Sequence, residues 1–187
     1  MEEIINFAKK KLSKKRFKHS LGVAKIALKL GKIYKVSEER LFIASLLHDI
    51  AKEMNYNEQI EHLKKYKVKL EEEELECKGV LHAYVSAIIA RENFNIDDEI
   101  FNAIYYHSTG HKDFDIFGKI IFASDYLDPT RKLHKQKKLL KITKKNIDEG
   151  LILIIKEKIN YLIDEKVVLH HNTIGFYNSI LRKIKID

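Results

Sequence analysis

Between Leu41 and Ala51 the chain reads LFIASLLHDIA, an apolar run that carries a histidine and an aspartate side by side near its end. Such a run predicts a buried helix, here over 38–51. A carboxylate buried without a partner costs several kcal/mol, roughly, so the His48-Asp49 pair implies a compensating cation, for which a metal is the natural candidate. This requirement constrains the fold, because other segments must converge on the pair to complete a coordination shell.

Four more polar residues fall on the apolar stripes of predicted helices. His19 precedes Val23, Ile26 and Ala27; His82 precedes Val85 and Ile89; His107 follows Ile100, Ala103 and Ile104; Asp125 follows Ile121 and Phe122. Helical spacing turns each toward the core along with its apolar neighbours. The six residues His19, His48, Asp49, His82, His107 and Asp125 come from five separate helices. A lone inward histidine has a plainer explanation, a ring satisfied by a carbonyl or a hydroxyl. Four of them together with two inward aspartates match the N/O donor set of a borderline divalent metal such as Fe, Mn, Zn, Co or Ni.

The fold class expected is all-α. No segment of the 187 residues alternates with period two, and seven Gly and one Pro leave few turns. Helices are predicted over 2–12, 17–34, 38–51, 57–66, 80–92, 97–107, 116–127, about 133–142, 147–164 and 175–184, with Ser37 and Asp97 as caps. The length suits one compact domain, 1–187, with a metal-binding core over about 16–131 and a basic helical part over 132–187. Cys77 is the single cysteine, so no internal disulfide can form, and a reducing compartment is expected. The chain opens on Glu2 and Glu3 rather than on a signal peptide, and no apolar run approaches the roughly 18 residues of a membrane span. A cytoplasmic protein with no membrane partner follows as the expectation. The acidic run Glu71 to Glu74 reads as a solvated face.

The stretches RFKHSLGVA (Arg16 to Ala24), LLHDIAK (Leu46 to Lys52), LHAYVSA (Leu81 to Ala87), YHSTGH (Tyr106 to His111) and ASDYLDPTR (Ala123 to Arg131) resemble the HD-domain superfamily of metal-dependent phosphohydrolases, and within it the YqeK family. The resemblance extends from about Ile4 to Ile184. It implies an HD-domain helical bundle with the metal site at its centre. It also implies symmetrical hydrolysis of diadenosine tetraphosphate to two ADP, with iron as the active metal. Two departures stand out. The family often has Thr-Thr-Gly-Arg after its fourth histidine, where this chain has Ser108, Thr109, Gly110 and His111. An imidazole for a guanidinium is expected to make phosphate affinity there lower and pH dependent. Ala83, Tyr84 and Val85 replace the small residues that usually follow His82, which leaves the metal shell intact.

The residues suggest how the ligands divide. His19, His48, Asp49 and Asp125 are expected to hold one divalent metal, with Asp49 bridging to a second on His82 and His107. If metal-free, His82 and His107 remain placed as phosphate donors. Arg16, Lys52 and Arg131 lie close in sequence to ligands, at the expected mouth of the site. With Asp49 and Asp125, Lys52 and Arg131 make up the expected catalytic set. By resemblance, Arg16, His19, Lys52, His82, His107, Ser108, Asp125 and Arg131 match nucleotide-binding positions, and His170, His171, Asn172 and Thr173 match a region beside the nucleotide. His170 and His171 read equally well as exposed loop histidines.

Charge is uneven. Residues 1–130 carry 21 Lys/Arg and 21 Asp/Glu, whereas 131–187 carry 14 and 6, so the whole net charge of +8 belongs to the last third. A basic cover would suit a polyphosphate, although a solvated lysine-rich helix explains the same counts. Rival readings are a phosphohydrolase acting on another nucleotide, a cyclic-dinucleotide phosphodiesterase, and a non-catalytic RNA- or ribosome-associated module. The second lacks its GYP signature, and the third leaves the buried ligands unexplained. Exposed apolar positions in the last two helices make a homodimer conceivable.

Overall fold

The computed structural model describes residues 1–77, 79–131 and 135–186. Every regular element among them is helical: α1 (Glu2–Lys11), α2 (Lys14–Tyr34), α3 (Glu38–Leu47), α4 (Tyr56–Lys65), α5 (Glu72–Glu76), α6 (Leu81–Asn93), α7 (Asp98–Tyr105), α8 (Ile116–Tyr126), a single 3-10 turn (Pro129–Arg131), α9 (Gln136–Lys145), α10 (Ile147–Asp164) and α11 (His171–Ile186). The all-α expectation holds.

Starts are set by local chemistry. Ser37 accepts from Arg40 N and Asp97 from Ile100 N, as expected, and Ser13, Asp115 and Asn146 cap α2, α8 and α10 in the same way. At α4, Asn55 and Glu58 close a reciprocal capping box. Helix α2 packs along α3 and α8, α7 against α6 and α8, and α10 against α8, α9 and α11. Between them lies a core of Leu30, Leu41, Leu47, Ile104, Phe117, Ile121, Phe122 and Phe176. A smaller cluster around Leu63, Leu81, Tyr84 and Val85 joins α4 to α6.

The differences from the sequence reading bear on the site. Helix α3 stops at Leu47, not Ala51, so His48 caps its C-terminus and Asp49 lies in the turn that follows. Helix α7 likewise ends at Tyr105, which places His107 in a turn. The acidic run is not merely a solvated face: Glu72–Glu76 form α5, with Glu74 buried. The expected start of the basic helix at Leu133 falls outside the described residues, and α9 is observed from Gln136. Helix α11 begins at His171, four residues before the expected Gly175.

Candidate metal centre and active site

All six residues inferred as ligands meet in one place. His19 projects from α2, His48 and Asp49 from the end of α3, His82 from α6, His107 from the turn after α7, and Asp125 from α8. The histidines and Asp49 are buried. Asp49 faces two ways. Its Oδ2 lies 3.5 Å from both His19 Nε2 and His48 Nε2, while its Oδ1 lies 3.0 Å from His82 Nε2 and 3.5 Å from His107 Nε2. Asp125 Oδ1 lies 3.0 Å from His19 Nε2 and 3.7 Å from His48 Nε2. Donor atoms of His19, His48 and Asp125, and again of His48, Asp49 and His107, lie within 4.8 Å of one another.

The outer ring nitrogens explain why the inner ones point inward. His19 Nδ1 donates to Asp128 Oδ2 at 2.7 Å, His48 Nδ1 to the Ser45 carbonyl at 2.8 Å, and His107 Nδ1 to the Ile104 carbonyl at 2.7 Å. Each bond fixes a tautomer whose Nε2 lone pair faces the centre, the arrangement that orients metal-bound imidazoles. His19 Nε2 and His48 Nε2 are buried and make no hydrogen bond, although Asp125 is near. Two orphaned lone pairs facing two carboxylates fit a divalent cation. The donor set contains no thiolate.

Electrostatics agree. Burial would raise the Asp49 carboxyl, but the His48, His107 and His82 imidazoles overcome it and hold the group well below its ordinary value. Burial likewise opposes Asp125, which Arg131, His19 and His48 keep ionised. For His19, burial is outweighed by the Asp125 carboxylate close to Nε2, by the hydrogen bond to Asp128 and by the charge of Asp49, and the ring is raised to about 9, so a metal bound at Nε2 would displace a proton. Burial lowers His82 to about 3 and lowers His107 also, so both stay neutral.

Cations ring the cluster. Arg16 Nη1 lies 2.8 Å from Asp49 Oδ2, and Arg131 Nη2 lies 2.5 Å from Asp125 Oδ1. Lys52 Nζ is 3.2 and 3.3 Å from the two ring nitrogens of His82. Ser108 Oγ stands 3.3 Å from His107 Nε2. A cavity of about 240 Å³ beside them is lined by Lys52, Ser108, Asp125, Arg131, His170 and Thr173, among others.

Not every candidate converges. His170 is buried and lines the cavity, but Asn172 does not line it, and His171 turns to Glu73 of α5, which also accepts from the His171 backbone N at 2.7 Å. His111 stacks on Tyr106, with ring centroids 4.5 Å apart, and is not among the residues that line the cavity of His170 and Thr173. Exposed apolar side chains do occur at the end of the chain, at Tyr161, Ile163 and Ile174.

Two participants escaped the sequence reading. Asp128, fully buried, anchors His19, and it sits in a turn where no periodicity could flag it. Lys158 of α10 reaches the Ser108 carbonyl and lines the cavity. A signal for it existed: Lys158 lies four residues after Ile154 and before Leu162, on an apolar stripe.

Comparison with known proteins agrees with this geometry. The HD domain model matches residues 16–130. A Staphylococcus aureus protein named "Bis(5'-nucleosyl)-tetraphosphatase, symmetrical" is 30% identical over 100% of this chain and 99% of its own length. A protein of the same name from Halalkalibacterium halodurans is 28% identical, covering 97% of each chain. The crystal structure of a Clostridium acetobutylicum protein, described as a "predicted HD superfamily hydrolase involved in NAD metabolism", superposes with a TM-score of 0.93 at 32% identity over 97% of both chains. The helical bundle, the paired His48 and Asp49 at its centre and these matches lead to one conclusion: the chain belongs to the HD domain family, on the branch that holds the proteins named symmetrical bis(5'-nucleosyl)-tetraphosphatase.

Proposed function

We propose that the chain is a metal-dependent phosphohydrolase that cleaves diadenosine tetraphosphate between its second and third phosphates, releasing two ADP. The observation that carries this reading is the juxtaposition of an inward-facing His/Asp cluster with Arg16, Lys52, Arg131 and Lys158, four cations where a polyphosphate would lie. The names of the full-length relatives supply the substrate class.

His19, His48, Asp49 and Asp125 would hold one metal, and the two-sided Asp49 carboxylate suits a bridge to a second on His82 and His107. Iron is the metal proposed, although Mn, Co, Zn or Ni match the same donors. Bound there, the metal supplies Lewis acidity and lowers the pKa of a water to near neutral. The water oxygen bonds to phosphorus, the bridging oxygen leaves with one ADP, and the other ADP keeps the new oxygen. Arg131 and Arg16 are forks suited to phosphate oxygens, and Lys52 and Lys158 act as point charges. Together they offset the charge that develops on the leaving ADP. Asp125 is placed to orient the water. One nucleoside occupies the cavity of His170 and Thr173. The protein acts in the cytoplasm as a single HD domain.

The test is anaerobic turnover of diadenosine tetraphosphate by metal-stripped protein reloaded with Fe, Mn, Co or Zn, with products separated by chromatography. ADP alone is expected. ATP plus AMP would mean asymmetric attack, and no turnover with any metal would move the substrate to another nucleotide.

A further inference from the structure

A second cavity, of about 430 Å³, opens on the other side of Lys158. It shares Asp125, Arg131, Lys158 and Leu162 with the cavity of His170 and Thr173. Lys158 and Leu162, one turn apart on α10, therefore form a divider with a chamber on either side, and both chambers reach the metal centre.

We propose that this second chamber seats the other nucleoside of the substrate, and that Tyr161 is the residue on which its base stacks. The inference rests on the tetraphosphatase reading and deepens it by giving each half of the substrate a place. Cutting between the second and third phosphates puts the central anhydride at the metal, with two phosphates and a nucleoside extending each way. A site that cuts there needs two nucleoside seats, and their walls must be apolar or aromatic rather than cationic. The third opening onto the cluster is lined chiefly by Lys15, Arg16, Lys18, Lys52 and Arg131, with the candidate ligand His19 and no Phe or Tyr, so it suits phosphate and not a base. The second chamber has Phe122, Tyr126 and Tyr161.

The rings have distinct positions. Phe122 is buried and its centroid lies 5.1 Å from Lys158 Nζ, which makes it a floor. Tyr161 follows Lys158 by three residues on α10 and is 61% exposed, an aromatic face beside a cation-lined cleft. Its exposure suits a residue that a base covers, since base-aromatic stacking holds purines without ordering the free protein. Glu157, whose carboxylate accepts from Lys135 Nζ at 3.0 Å, stands at the rim as an acceptor for an amino or ribose hydroxyl group.

The experiment compares kcat/KM for diadenosine tetraphosphate with that for adenosine 5'-tetraphosphate, which lacks the second nucleoside. Both are measured with the metal-loaded full chain as wild type, Tyr161→Ala and Tyr161→Phe. The wild type is expected to prefer the dinucleoside. Tyr161→Ala should cut that preference about tenfold, mainly through KM, and Tyr161→Phe should retain it. An unchanged preference in Tyr161→Ala, or an equal loss on both substrates, overturns the assignment. A dimer that dissociates in Tyr161→Ala with the preference intact also overturns it and gives this face to a second copy of the chain. Turnover of neither substrate by the wild type would instead remove the tetraphosphatase reading on which the assignment rests.

Discussion

Gly22 and Asp128 are so close that a Cβ on the glycine would lie 1.8 Å from Asp128 Oδ1. The absent side chain is what lets the Asp128 carboxylate approach α2 and grip His19 one turn earlier on the same helix. Gly22→Ala must push Asp128 aside, because its Cβ would also lie 2.9 Å from Asp128 Cγ. Losing a carboxylate that orients a metal-bound imidazole typically costs about 10- to 100-fold in metal affinity or activity. Gly22→Ala and Asp128→Asn are expected to show losses of that size together, read as metal content and turnover on the same preparations. A Gly22→Ala protein with wild-type metal content would refute the link.

Asp49→Ala removes the carboxylate that faces both histidine pairs. Metal retention and turnover should both vanish, while the far-ultraviolet helical signal persists because Asp49 lies in a turn and supports no helix. Full activity in this variant would sink the proposed mechanism.

Lys158 sits where burial lowers its ammonium to about 8. It must be charged to attract a polyphosphate, so kcat/KM should fall as pH rises through about 8, the limb reporting the free enzyme. Lys158→Arg keeps its charge at any such pH and should flatten that limb. A wild-type limb that survives unaltered in Lys158→Arg would assign the titration elsewhere.

Glu99, remote from the site, bonds to the Asp115 carboxyl and is partly desolvated, which raises it to about 7. Its ordinary value is 4.5, so between about 4.5 and 7 the folded form holds this proton more tightly than the unfolded chain does, and stability declines as pH rises. Above about 7 the penalty is complete. Because the group is partly exposed, the effect should stay below about 1 kcal/mol. Glu99→Gln should remove this slope, measured as the difference in denaturation midpoint between pH 5 and pH 8. An identical pH dependence in both proteins would remove Glu99 as its source.

The six candidate ligands were legible because each is a polar residue on a stripe whose other members are apolar, and burial of that stripe carries the residue inward. Burial is not helicity, however. The run to Ala51 is buried to its end, yet the chain leaves the helix at Leu47, since the His48 ring spends its Nδ1 on the Ser45 carbonyl and Asp49 must turn toward α6. Helix α5 has no apolar stripe to announce it, and its capping box joins two glutamates, Glu71 and Glu74. Asp128 acts through a long-range contact with α2 that no local pattern encodes. Lys158 was hidden among the lysines of a basic segment, where its apolar neighbours are the only sign that it points inward.

The HD domain match ends at residue 130, whereas Lys158, Tyr161, Leu162, His170 and Thr173, which wall the two chambers, all come later. The six candidate ligands and part of each chamber's wall, Ser108 and Phe122 among them, lie inside the match, and the rest of both walls lies beyond it. If the chambers seat the two nucleosides as proposed, substitutions along the last two helices should change which nucleotide is accepted while the clustered histidines and aspartates stay untouched. On that reading, exchanging the segment after Arg131 between relatives should shift substrate selectivity around an unchanged cluster of ligands.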